Sequence, residues 1–128
     1  PEDVVVDSNE PYGTVYGRNF AHSNGVAGAV QQAAKEAGDG PYTAVVADNG
    51  FECKKQLMLL RAGKFTADIL EGMSCSGGCI AGPACISDPA TVRGRMAKEN
   101  MSCDKKTIEE SLEMFEFKDF NIEMEKKD

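Results

Sequence analysis

The sequence predicts an α/β fold: a βαβ unit with two parallel strands flanked by helices, followed by further helices at the C-terminal end. Residues 43–47 form a continuous apolar run of strand length, which is typical of a strand buried on both faces of a parallel sheet. Residues 66–70 form a second run of that length, and the segment between the two has helical spacing. A strand, a helix and a strand in this order predict parallel strands joined by a right-handed crossover.

The elements before this unit are a short strand and a helix. The β-branched run at residues 4–6 indicates an edge strand, and a Pro-Tyr-Gly turn follows it at 11–13. A helix is predicted over 25–37, with Ser23 or Asn24 as its N-cap and a Gly-Asp-Gly-Pro stop after it. Its predicted apolar face consists of Val26, Ala29, Val30, Ala33 and Ala37.

Three more helices complete the prediction. The crossover helix covers 51–61, and a later helix covers 89–100, with Asp88 as N-cap and Pro89 in the first turn. A last helix, capped by Asp104, is predicted over 105–117. The predicted apolar faces are Cys53, Leu57 and Leu60 on the crossover helix, and Ile108, Leu112 and Phe115 on the last helix.

Composition indicates one domain over residues 1–128, with about 1–12 and 119–128 poorly ordered. The net charge of −7 argues against nucleic acid and anionic membranes as partners. No apolar run has the length of a signal or a membrane span. The five cysteines are an odd number, which disfavours a secreted disulfide framework and favours a reducing cytoplasm.

The segment most informative about function is residues 71–83, Glu-Gly-Met-Ser-Cys-Ser-Gly-Gly-Cys-Ile-Ala-Gly-Pro. Cys75 and Cys79 lie on either side of a Gly-Gly pair, directly after a predicted strand. Thiolates suit iron–sulfur chemistry, copper(I) or zinc, and adjacent glycines allow backbone N–H groups to approach a bulky anion. Because ligands of parallel sheets gather at the carboxyl ends of the strands, this loop is where a site is expected.

This segment resembles the last cysteine motif of the iron-only hydrogenases, Glu-x-Met-x-Cys-x-x-Gly-Cys-x-x-Gly. Residues 17–30 are similar to that family's Gly-x-x-Phe-x-x-(Ser/Thr)-Gly-Gly-Val helix start, and residues 44–63 resemble its strand–helix approach to the motif. The resemblance covers roughly residues 13–100. The motif positions are occupied here by Glu71, Met73, Cys75, Gly78, Cys79 and Gly82.

The resemblance implies a fragment of a catalytic domain that reversibly oxidises dihydrogen to protons and electrons. Cys75 would ligate a four-iron four-sulfur cubane, and Cys79 would bridge it to the di-iron subcluster, the two together forming the H-cluster. Met73 would pack against that subcluster, and Glu71 would hold the loop by a hydrogen bond. Gly77, Gly78 and Gly82 would supply backbone geometry and N–H groups for cluster sulfur, and the N-terminus of the helix starting at Gly25 would face the cluster or serve only as a cap.

The family's two earlier motifs, Thr-Ser-Cys-Cys-Pro and Met-Pro-Cys-x-x-Lys, do not occur in these 128 residues. We therefore expect a C-terminal piece of a longer protein, in which an N-terminal part supplies the other ligands and a ferredoxin-like carrier exchanges electrons. The expected setting is the cytoplasm of an anaerobe. The piece alone is expected to bind no cluster, to be inactive and to favour homodimers. Basic residues that such a carrier could contact are Lys54, Lys55, Arg93 and Arg95.

Several alternatives stay open at this stage. The family usually continues Gly-Gly-Gly-Gln-Pro, whereas Gly82 is followed here by Pro83, Ala84 and Cys85, which favours a less-studied branch and admits a non-catalytic, cluster-carrying or cluster-sensing relative. A zinc site would need a ligand such as Cys85 beyond the cysteine pair. In a metal-free interaction module the cysteines would be incidental, and His22 is expected to be a surface or packing residue.

Overall fold

The computed structural model describes residues 13–103 and 107–113. The predicted strand at 4–6, the Asp104 cap and Phe115 lie outside these residues. In chain order the helices and strands are α1 (Val15–Arg18), a 3-10 turn (Asn19–Ala21), α2 (Gly25–Glu36), β1 (Ala44–Ala47), α3 (Gly50–Arg61), β2 (Ile69–Gly72), a 3-10 turn (Cys79–Ala81), α4 (Pro89–Met101) and α5 (Ile108–Glu113).

The two strands form a parallel sheet flanked by helices, which confirms the predicted fold class. Ala44 pairs with Ile69, and Ala47 pairs with Gly72. The second strand lies at Ile69–Gly72 rather than 66–70, because pairing starts only after Asp68. The Asp68 carboxylate accepts hydrogen bonds of 2.7 Å from both the backbone N–H and the hydroxyl of Thr43, which closes the amino end of the sheet.

The predicted apolar face of α2 is partly wrong. Ala29 is buried, but Val26 and Val30 are 36% and 45% exposed. The buried positions of the helix are Gly25, Ala27 and Ala29, so its first turns pack through small residues. An ideal Cβ at Gly25 would lie 2.5 Å from the carbonyl carbon of Asn19, which shows how closely the two backbones approach.

The crossover helix α3 has nearly the predicted bounds. The Asn49 side chain caps it by accepting a 2.9 Å hydrogen bond from the N–H of Glu52. Cys53 is half-buried and its thiol donates to the Ala47 carbonyl over 3.5 Å, whereas Leu57 and Leu60 are more than half exposed. Of the three residues predicted to share its apolar face, Cys53 is half-buried beside the end of β1, and the two leucines are mainly exposed.

The last two described helices return to the start of the chain. Asp88 caps α4 as predicted, because its carboxylate accepts a 2.8 Å hydrogen bond from the N–H of Thr91. At the other end of α4, the Asn100 side chain donates to the Asn19 side chain over 2.7 Å. The Glu36 carboxylate, at the end of α2, accepts hydrogen bonds from the first N–H groups of α5.

The core of the described residues is made of small side chains, and none of the large apolar side chains there is fully buried. The buried apolar residues are Ala27, Ala29, Ala47, Ile80 and Cys103. Several large residues of α3 are exposed instead, with Phe51 at 76% and Met58 at 62%. No helix in the described ranges combines the length and apolarity needed to cross a bilayer.

Two glycines of α2 provide a matched test of this packing. Gly25→Ala is expected to lower the free energy of unfolding by about 1–3 kcal/mol, because the new methyl group would overlap the Asn19 carbonyl. Gly28 has no atom within 4 Å of an ideal Cβ, so Gly28→Ala should raise that free energy by about 0.5–1 kcal/mol. Urea denaturation followed by far-ultraviolet circular dichroism measures both. Equal effects of the two substitutions would contradict the close approach at Gly25.

Candidate functional site

The candidate site is the segment of residues 73–82 that follows β2, called here the cysteine loop. It begins at the carboxyl end of the sheet, where the N–H of Met73 still donates to the Ala47 carbonyl over 2.9 Å. Two tight turns shape it: the N–H of Gly78 donates to the Cys75 carbonyl over 3.0 Å, and the N–H of Gly82 to the Cys79 carbonyl over 3.1 Å. The loop therefore lies at the edge of the sheet where the sequence predicted a site.

The two predicted ligand cysteines are both accessible thiols on this loop. Cys75 is half-buried and Cys79 is exposed, and none of the five cysteines, all of which are among the described residues, forms a disulfide. An ideal Cβ at Gly82 would lie 3.8 Å from the Cys75 sulfur, so the end of the loop folds back close to that thiol. Neither sulfur is enclosed in the apolar core.

The glycines of the loop serve backbone geometry. Gly77 and Gly78 have φ values of 91° and 86°, a region that disfavours residues with a Cβ. Gly78 is buried, and an ideal Cβ there would lie 2.8 Å from both Cα of His22 and the backbone nitrogen of Ser23. The N–H groups of Gly77, Gly78 and Gly82 all donate within the chain. The predicted N–H bonds from these glycines to cluster sulfur would therefore have to compete with those partners.

Glu71 fastens the start of the cysteine loop to the start of α2. Its side chain is 6% exposed, and its two carboxylate oxygens accept hydrogen bonds from the N–H groups of Asn24 (2.7 Å) and Ala27 (2.6 Å). This agrees with the expectation that Glu71 holds the loop. The sequence predicted that the side chain of Ser23 or Asn24 would cap α2. Asn24 does occupy the N-cap position, with φ 70°, but its side chain makes no capping hydrogen bond, and the Glu71 carboxylate accepts from the helix N-terminus instead.

Asp48 fastens the tip of the loop and was not predicted. It follows β1 directly, and its Oδ1 accepts hydrogen bonds from the Ser23 hydroxyl and, over 2.8 Å, from the N–H of Gly77. These two bonds, with a smaller contribution from the positive charge of Arg93, hold the pKa of Asp48 below its ordinary value. A polar residue at the carboxyl end of a buried strand was the available signal, since ligands and functional groups gather there.

The remaining candidates lie around the loop in different environments. Met73 is half-buried, and its carbonyl accepts from the Cys53 thiol over 3.5 Å. His22 is half-buried, with its ring Nδ1 2.9 Å from the Ser23 carbonyl. Cys85 is exposed, and its thiol donates to the Cys79 carbonyl over 3.2 Å.

The donor set decides which metals these residues could hold. Within the described ranges, no group of three His, Cys, Asp or Glu side chains is placed to hold a metal ion, so the zinc alternative through Cys85 receives no support. A four-iron four-sulfur cluster takes four cysteine thiolates. Cys75 and Cys79 would supply two of the four thiolates of such a set.

Replacing Glu71 tests the fastening of the loop. Glu71→Gln would leave one buried N–H without an acceptor, since the amide NH2 group cannot accept a hydrogen bond. We expect it to lower the free energy of unfolding by about 1–3 kcal/mol. Glu52→Gln, which removes only an exposed ion pair with Lys55, should lower it by less than about 1 kcal/mol in the same urea titration. Similar losses for both variants would show that the Glu71 contacts are not stabilising.

The lowered pKa of Asp48 predicts how the stability of the fold changes with pH. Its pKa is lower in the folded chain than the ordinary value of 3.8, so the stability it adds is complete above that value and is lost as the pH falls through the folded pKa. Wild-type chain should therefore be more stable than Asp48→Asn at pH 7, and the difference should shrink at pH 3. Urea midpoints at the two pH values test this, and a difference that grows with acidification would refute it.

Comparison with known proteins completes the description of the site. A search of curated proteins and a search of solved structures found no match. A family model described as "Iron only hydrogenase large subunit, C-terminal domain" matches residues 2–83. That range contains α2, the complete βαβ unit and the whole cysteine loop, whereas Cys85 and α4 follow it. The chain therefore belongs to the family of the iron-only hydrogenase large subunit, C-terminal domain.

Proposed function

We propose that this chain is part of an iron-only hydrogenase that reversibly oxidises dihydrogen to two protons and two electrons, and that Cys75 and Cys79 ligate its cluster. The observation that carries the proposal is the cysteine loop. Two accessible thiols lie on one glycine-shaped turn at the carboxyl end of a parallel sheet, in a chain that belongs to the hydrogenase family.

The roles proposed for the residues are those that the resemblance to the family's last cysteine motif implies. Cys75 would hold the four-iron four-sulfur cubane, Cys79 would bridge it to the di-iron subcluster, and Met73 would lie against that subcluster. When bound, the cluster supplies the redox chemistry of the reaction. Gly77 and Gly78 allow the positive φ values of the turn between the two thiols, and Gly82 lies beside the Cys75 sulfur.

The other ligands would come from an N-terminal part of a longer protein. The cysteine loop presents two thiols, whereas a four-iron four-sulfur cubane takes four thiolate ligands. This difference supports a site shared between the loop and the N-terminal part. The exposed large side chains of α3, including Phe51, Met58 and Leu60, support the packing of further protein against this chain. Without that part we propose that the chain binds no cluster, is inactive and pairs with a second copy.

The proposed electron partner is a ferredoxin-like carrier in the cytoplasm of an anaerobe. Lys54, Lys55, Arg93 and Arg95 are exposed. On a chain with a net charge of −7, these residues are local basic positions that an acidic carrier could contact.

A non-catalytic relative that carries or senses an iron–sulfur cluster is the second candidate. It is favoured by the segment after Gly82, where Pro83, Ala84 and Cys85 stand in place of the family's usual Gly-Gly-Gln-Pro continuation. Infrared bands of iron-bound carbon monoxide and cyanide in the full-length, anaerobically matured protein would identify a di-iron subcluster. Their absence from iron-loaded protein would favour the second candidate.

Serine substitutions test the proposed ligands. In the full-length, anaerobically matured protein, Cys75→Ser and Cys79→Ser should each reduce the apparent iron affinity by at least about tenfold. The reason is that a serine hydroxyl is a hard donor, whereas cluster iron prefers the soft thiolate. Iron per chain is measured by a colorimetric iron assay and by competition with a chelator.

The matched control is Cys103→Ser. Cys103 is buried, and its thiol donates to the Gly13 carbonyl over 3.2 Å. A serine hydroxyl can donate to the same acceptor. The iron content of the Cys103→Ser protein should equal that of the wild type. If Cys75→Ser and Cys79→Ser also keep the wild-type iron content, the chain is a metal-free interaction module and the proposed ligation is wrong.

A further inference from the structure

We propose that Asp48 is a positioning residue for the cluster ligands: its carboxylate holds the turn between Cys75 and Cys79 in the geometry that binds iron. The inference rests on the proposed function, since it concerns the same loop. Asp48 carries no ligand role itself. It acts through the backbone of Gly77, midway between the two cysteines.

The contacts of Asp48 join three separate parts of the chain. Asp48 directly follows β1, Ser23 precedes α2, and Gly77 is the tip of the cysteine loop. The Ser23 hydroxyl and the Gly77 N–H reach the same carboxylate oxygen, Oδ1. The N–H of Ser23 in turn donates to the Gly77 carbonyl over 3.3 Å, so both peptide groups of Gly77 are held.

The loop would lose a specific restraint without this carboxylate. Glu71 fixes the chain before Met73, and the buried Gly78 packs on the backbone of His22 and Ser23. Between these two fixed points, the Asp48 bond is the side-chain hydrogen bond that reaches the turn itself. Gly77 has a positive φ and no side chain to restrict it, so its N–H direction depends on that acceptor.

Asp68 provides an internal control for a merely structural aspartate. Like Asp48 it accepts one backbone N–H and one hydroxyl on a single oxygen, and like Asp48 it has a lowered pKa. Its partner is Thr43, at the amino end of the sheet, whereas the cysteine loop leaves the carboxyl end. If Asp48 only stabilised one end of the sheet, replacing it should change the iron affinity as little as replacing Asp68 does.

The experiment compares Asp48→Ala, Asp48→Asn and Asp68→Ala in the full-length, anaerobically matured protein. Asp48→Ala should reduce the apparent iron affinity about tenfold in chelator competition, the usual effect of removing a residue that orients ligands. It should also change the electron paramagnetic resonance spectrum of the reduced cluster. In metal-free protein, hydrogen exchange of the peptide containing Gly77 should become about tenfold faster.

The other two variants separate positioning from charge and from general stability. Asp48→Asn keeps Oδ1, which can accept hydrogen bonds from both donors. Its iron affinity should therefore stay within about threefold of the wild-type value, and its electron paramagnetic resonance spectrum should be unchanged. Asp68→Ala should destabilise the sheet without changing either measurement. If Asp48→Ala does not fold, Asp48→Glu replaces it, because the longer side chain keeps the charge but displaces the acceptor oxygen.

The outcomes separate this inference from the function on which it rests. If Asp48→Ala or Asp48→Glu binds iron with the affinity and spectrum of Asp68→Ala, Asp48 has no positioning role, although the ligand function of Cys75 and Cys79 stands. If wild-type protein binds no iron, the ligand function fails, and the role of Asp48 fails with it. Loss of affinity and an altered spectrum in Asp48→Ala, with recovery in Asp48→Asn, supports the inference.

Discussion

The arrangement of the site depends on the hydrogen bonds between the buried Glu71 carboxylate and the first N–H groups of α2. A buried carboxylate is destabilising unless donors surround it, and a helix N-terminus offers unpaired N–H groups with a favourable dipole. Both carboxylate oxygens of Glu71 are used in this way. The end of β2 is thereby joined to the start of α2, and the cysteine loop leaves from that junction.

Close backbone contact is the second constraint on this junction. Gly25 lies against the carbonyl group of Asn19, and Gly78 lies against the backbone of His22 and Ser23. Larger residues at Gly25 and Gly78 would push these segments apart and lengthen the hydrogen bonds that the Glu71 and Asp48 carboxylates accept. The small-residue core of the described chain therefore has a positional consequence: it brings three distant segments close enough for two carboxylates to hold the loop.

Unburied apolar surface accompanies this small core. The consecutive apolar residues at 57–60 give α3 apolar side chains on several sides, a pattern expected of a helix covered by protein on more than one face. The sheet covers only part of it, and Leu57, Met58 and Leu60 are more than half exposed. These exposed apolar side chains of α3 are available to pack against further protein.

The sequence alone determined the elements that depend on local patterns: the βαβ order, the crossover helix, the Asp88 cap of α4 and the position of the cysteine loop after a strand. Cys75 and Cys79 could be named as candidate ligands from the sequence, because residue type and spacing limit the chemistry of a cysteine pair. The partners of Glu71 and Asp48, the late start of β2 and the exposure of Val26 were decided by tertiary structure. These features depend on contacts between residues tens of positions apart, and no local propensity encodes which backbone N–H a carboxylate will meet.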